Sequence, residues 1–282
     1  MPEPQPQQDI VVTGERSALS ERVRAFVATV TPETDNAQVA RWDRGLCLEI
    51  EGVAEPQRDY FADAIASAGR LGGLEIRAGR DCEASAYVIF TSNADALLER
   101  LAEEREMFFG DIPVARRQEL HSSSAPVRWL SHAQVRGAAG ETPTGFAIDL
   151  GKGGVERTLP AIRSRPSRLQ SAGRMDLQAM VVVVDASKLA GVSNRSLAAY
   201  LSMVVIGNVR PDYRADASHS ILGLFDAVRP GSAVTDGLTE WDEAYLRSLY
   251  AGAWNVTAEQ RIREMGATME RRLVSAEPSR SR

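Results

Sequence analysis

Residues 178–185, Gln-Ala-Met-Val-Val-Val-Val-Asp, set the strictest condition on how this chain folds. Four consecutive valines are stiff at χ1 and favour a pleated strand over a helix. Because the run does not alternate with polar residues, both of its faces must be covered, so it reads as the central strand of a sheet with layers on each side. The apolar stretch 179–184 is far shorter than the ~20 residues of a membrane span. With 282 residues, 44% of them hydrophobic, the chain can bury one core of that kind. The expectation is an α+β fold, a mixed sheet packed by helices.

The remaining pattern is compatible with such a core. Leu19, Val23, Phe26, Val27 and Val30 fall on one stripe of an amphipathic docking helix over 17–30. Residues 31–38 read as a linker, and one α+β domain follows over 39–273, with polar tails at 1–16 and 274–282 taken as disordered. Strands are expected at 46–51, 74–77 and 86–91, the first and last from period-two alternation. Pro56 opens a helix with Tyr60, Phe61, Ala64, Ile65 and Ala68 on its buried face, stopped by Gly72-Gly73. Asn93 caps a helix whose Leu97, Leu98 and Leu101 face inward. Short strands near 127–135 and 146–150 read as an edge hairpin. Ser193 or Asn194 caps a helix with Leu197, Tyr200, Leu201, Val204 and Val205 on a stripe, ending near Gly207. Thr239 caps a helix bearing Trp241, Leu246, Leu249 and Tyr250, and Thr257 with Gln260 gives the capping-box spacing for the last one.

The chemistry search mostly excludes. Net charge is −5, from 33 basic and 38 acidic residues, which gives no reason to expect a nucleic-acid partner. Only Lys152 and Lys188 are lysines, a bias that reads as codon usage. His121, His132 and His219 are too far apart in sequence for a helical HExxH, so no metal ligands are assigned. No Gly-x-Ser-x-Gly elbow occurs, and Gly151-Lys152-Gly153-Gly154 lacks the P-loop spacing and reads as a turn. No catalytic residue and no cofactor is assigned. Adjacent acids such as Asp242-Glu243 point apart on a helix and serve its first turn, although a fold can still bring distant carboxylates together for hydrolysis.

Two features remain. Cys47 and Cys82 flank expected strands; in one sheet they would reach bonding distance, with buried free thiols as the other outcome. The stretch 157–174 carries Arg157, Arg163, Arg165, Arg168 and Arg174 without an acid. Clustered guanidinium groups bind phosphate or carboxylate, which makes Arg163, Arg165 and Arg168, with Tyr200 on the helix that follows the central strand, the candidate ligand-binding residues. An anionic ligand of the cell envelope is the partner such residues suit, and a solvated loop is the plainer alternative.

The Pro- and Gln-rich start, leading into Asp9-Ile10-Val11-Val12-Thr13-Gly14, resembles the mature end of an exported Gram-negative protein. Arg41-Trp42, Cys47, Cys82, Phe90-Thr91, Ser167-Arg168-Leu169, Val183-Val184-Asp185, the 197–203 helix, the 220–225 turn and the 238–250 helix together resemble a family of exported Gram-negative proteins of unknown function. More distantly, a strand, a helix and a late Asp-x-x-x-Leu-x-x-Leu-Tyr helix occur in the order of zincin-like peptidases. At the metal-motif position this chain has Leu197-Ala198-Ala199-Tyr200-Leu201, with neither His nor Glu. The resemblance implies a periplasmic or secreted, non-catalytic binding protein on a metal-less zincin-like fold; the alternative is a hydrolase using carboxylates assembled by the fold.

Overall fold

In the computed structural model, residues 7–32, 38–43, 45–79, 81–104, 118, 120–142, 144–148, 157–161, 171, 173–211, 213, 219–226 and 235–276 are described. In chain order the elements are α1 (Gln7–Val30), β1 (Gly45–Glu51), α2 (Glu55–Leu71), β2 (Glu75–Ala78), β3 (Ala86–Thr91), α3 (Ala94–Glu104) and β4 (Val127–Gly137). They continue with β5 (Thr144–Ile148), β6 (Arg157–Ala161), β7 (Gly173–Asp185), α4 (Asn194–Gly207), α5 (Glu240–Tyr250) and α6 (Ala258–Ala276). Five strands form one mixed sheet in the order β2-β1-β3-β7-β4, parallel except for β4, which runs antiparallel to β7.

The valine run behaves as its composition demands. Val182 and Val184 enter the main core on one face, and Val183 packs with Ala94, Leu98 and Leu120 on the other, under α3. Strand β7 nevertheless lies second from the edge, and β3 occupies the middle position. It also begins at Gly173, before the valines, and this first half has a different neighbour from β3. Arg41 bridges to Asp176 in parallel, with Leu177 donating its N–H to the Arg41 carbonyl at 2.8 Å.

Several expectations need correction. Helix α1 starts at Gln7, so helix occupies much of the stretch expected to be a disordered tail, and α6 continues to Ala276. The edge hairpin is not formed: β4 spends all eleven residues on β7, and β5 pairs with β6 in a separate two-stranded sheet. Tyr60 stands exposed beside the buried Phe61, since its position on α2 turns it outward.

Helix α4 packs against α2 and α5, and its side chains share one core with those of the sheet. Every residue from Ser196 to Gly207 is buried, so the helix has no wet face, and its apolar all-round surface is the physical counterpart. Ser193 accepts from the Ser196 N–H at its start, and Asn208 ends it in the left-handed conformation at φ 43°. A buried helix end must find donors for its last carbonyls. Trp42 Nε1 donates to the Val205 carbonyl at 2.8 Å, and the Tyr250 hydroxyl to that of Ile206 at 2.8 Å. Trp129 Nε1 serves the carbonyl of Val209 just beyond, at 3.0 Å.

Leu201 is fully buried in α4. Leu201→Ala is expected to cost about 2–5 kcal/mol by leaving a cavity, read from the shift of a chemical-denaturation midpoint. Ser202 spends its hydroxyl on the Ala198 carbonyl within the same helix, so Ser202→Ala should be nearly silent. An unchanged midpoint for Leu201→Ala would remove α4 from the core.

Candidate functional site

The residues at the metal-motif position, 197–201, are all core. Tyr200 is 5% exposed; its hydroxyl pairs with that of Tyr213, its ring meets Phe225 edge-on at 4.9 Å, and burial pushes its ionisation well above the usual tyrosine value. The ring and hydroxyl expected to face a ligand are thus committed inside the protein. His132 meets Gln134 along β4, and His219 stacks on Trp241 with centroids 4.7 Å apart. Among the described residues no group of three His, Cys, Asp or Glu side chains is placed to hold a metal ion.

Arg163, Arg165 and Arg168 lie outside the described residues, and of Arg157 only its backbone, in β6, is described. Arg174 corrects the picture of a free cationic stretch. Its side chain is 6% exposed and its Nη2 contacts Asp43 at 2.6 Å and Asp176 at 2.9 Å. Nothing in the run 157–174 betrays these acids, because Asp176 follows it and Asp43 arrives from the segment before β1.

This pair belongs to a larger polar cluster that sequence reasoning did not assemble. The Arg41 guanidinium lies 3.9 Å from the centroid of the Trp254 ring, and that of Arg174 lies 4.6 Å away. Arg41 donates to the carbonyls of Leu249 at 2.7 Å and Ala253 at 3.2 Å, while Arg261 donates to that of Ala251. Helix α5 ends at Tyr250, so two buried cations take the carbonyls at and beyond its C-terminus, where the helix dipole also favours positive charge. Burial, then the charge of Arg261, pulls Arg41 down to about 9, which leaves it charged at neutral pH.

Two carboxylates do meet here, on the same nitrogen of Arg174, but they are unequal. The Asp43 side chain is 41% exposed, whereas that of Asp176 is 4% exposed and its Oδ1 is sealed without a hydrogen-bond partner. Burial raises the Asp176 pKa, opposed by Arg174 and reinforced by Asp43. No substrate can reach a carboxyl closed off in this way, and the arrangement works as an ion-pair network. Asp242 is likewise structural: fully buried, it accepts from the Ser220 hydroxyl, the Ile221 N–H and both the N–H and hydroxyl of Thr239. It closes the capping box that starts α5.

Cys47 and Cys82 form a disulfide, with Cα atoms 5.9 Å apart. The bridge staples the β2–β3 connection onto β1, where Gly79 also donates to the Leu48 carbonyl and Ser85 to that of Cys47. Beside it opens a shallow depression of about 530 Å³ with Gly45, Cys47, Glu75, Arg77, Glu83 and Ser85 in its lining. No described helix is long and apolar enough to cross a membrane. Comparison of the chain with protein-family models, with curated proteins and with solved structures finds no match.

Arg174→Ala leaves Asp176 buried and unpaired, and is expected to cost about 3–5 kcal/mol in denaturant melts. The raised pKa of Asp176 means that the folded chain binds this proton more tightly than the unfolded one. Its contribution to stability is therefore complete below the unfolded value of 3.8 and declines as pH rises through the folded value. As pH rises from below 3.8 through the folded value, wild type should lose stability relative to Asp176→Asn. A flat difference would show that the carboxyl does not titrate in that window. Reduction of the disulfide, which spans 35 residues, should lower stability by about 3–4 kcal/mol in matched melts.

Proposed function

We propose that this protein is a non-catalytic binding protein of the bacterial cell envelope, carried on a metal-less zincin-like scaffold and exported to the periplasm or beyond. The observation that carries the reading is the burial of every α4 residue from Ser196 to Gly207. A helix that supplied metal ligands or a general base would have to turn polar side chains toward a cleft, and here the corresponding residues fill the core. The order of β7, α4 and the late helix α5, with Asp242, Leu246, Leu249 and Tyr250, supports the scaffold. A disulfide in the native fold supports an oxidising compartment.

For the ligand, the arginine-rich stretch is the favoured element, with Arg163, Arg165 and Arg168 contacting an anionic envelope component. Co-sedimentation with vesicles of phosphatidylglycerol or of phosphatidylcholine tests this. Wild type should associate with the anionic vesicles and release as salt is raised, and the triple variant Arg163→Ser, Arg165→Ser, Arg168→Ser should lose that association while keeping its melting temperature. Equal partition onto both vesicles, or hydrolysis of a peptide or glycan panel by the purified protein, would overturn the reading.

A further inference from the structure

The depression beside the disulfide holds charges that form no ion pair among the described residues. Glu75 and Arg77 are two residues apart on β2 and so project from the same side of that short edge strand. Glu83 follows Cys82 and joins them in the lining. Many charged side chains of the described residues engage in ion pairs, as Arg58 does with Glu55 and Arg263 with Glu259. The side chains of Glu75, Arg77 and Glu83 have no such partner among the described residues. The floor is backbone of β1, brought close by Gly45: a Cβ there would lie 2.1 Å from the Glu75 carbonyl oxygen, so no side chain fits between the two strands. Ser85 is occupied in holding the floor, accepting from the Cys47 N–H at 3.1 Å.

We propose that this depression binds a diamino acid such as lysine, either free or as the C-terminal residue of a dipeptide, whose N-terminal amine then supplies the second ammonium. The lining offers two carboxylates and one guanidinium, a net charge of about −1 that complements a ligand carrying one carboxylate and two ammonium groups. Arg77 takes the ligand carboxylate through its fork of donors, and Glu75 and Glu83 take the two ammonium groups. The disulfide contributes by fixing the loop from which Glu83 projects, so the site depends on oxidation. This assignment is independent of the arginine-rich stretch, and neither reading falls with the other.

Lysine and glycyl-lysine are the probes, the first for a free amino acid and the second for a peptide end, titrated calorimetrically and by amide chemical shifts. Saturable binding of either, with the shifts concentrated at Gly45, Leu46 and Ser85, is the expected result. Glu83→Gln should weaken it about tenfold or more. Arg77→Gln should weaken lysine by a similar factor while leaving 1,5-diaminopentane, which lacks the carboxylate, unchanged. These side chains are exposed, so the variants should keep the wild-type melting temperature; Cys82→Ser, measured below its own melting transition, should weaken binding as Glu83→Gln does. No saturable signal from either probe up to about 50 mM, or equal losses for lysine and the diamine in Arg77→Gln, would overturn the proposal.

Discussion

The carbonyls at the C-terminal end of α4 are the constraint on which the rest of the molecule turns. A helix can be buried on every side only if its end is supplied with donors from elsewhere, since an unmade hydrogen bond there costs about 1–3 kcal/mol. The donors come from far apart in sequence: Trp42 from the segment before β1, Tyr250 from the last turn of α5. Each is a large ring that carries a polar tip into the core, so one side chain fills space and satisfies the backbone together. The next residues extend the scheme, because the Arg210 N–H takes the Val30 carbonyl and ties the end of α1 to the exit from α4.

A second polar assembly handles the end of α5 by different means. Arginines take the place of aromatic rings, and their charge demands counter-ions as well as hydrogen bonds. Arg174 meets Asp43 and Asp176, Arg261 lies 3.5 Å from Glu264, and Arg41 leans on Trp254 and backbone carbonyls. The balance is imperfect: Asp176 Oδ1 and Arg261 Nη2 remain buried and unmatched. Such a cluster is a costly way to stabilise a fold, and what it adds is directional contacts that tie together three remote segments: 41–43, the start of β7, and the stretch from the end of α5 into α6.

What could be read from the sequence was what depends on neighbours in the chain. The valine run announced a strand covered on both faces, and Ser193, Thr239 and Asn93 announced helix starts, because a cap acts over two or three residues. The first half of β7 was hidden because Arg174 and Asp176 interrupt the apolar pattern, and their justification lies in Asp43 and in the bridge from Arg41. The partner of β4 was misjudged for a related reason. A Gly- and Pro-rich stretch after it suggests a hairpin, while pairing with β7 across the sheet leaves no local mark. Of the candidate site residues, Cys47 and Cys82 were legible from their places beside strands, whereas the burial of Tyr200 required knowing that α4 has no outer face.

The disulfide turns the stretch from β1 through α2 to β2 into a covalent ring, and the ring encloses the turn at Gly72 and Gly73, where Gly73 adopts φ 73°. A protease that cuts a linear chain at an exposed turn separates two pieces, each free to diffuse away and unfold. Here a cut at that turn opens the ring into a single branched molecule, whose new ends stay tethered through sulfur and remain within reach of their partners in the sheet. The effective concentration of one piece near the other is then set by the tether and not by the solution. A nick at this site becomes a survivable injury.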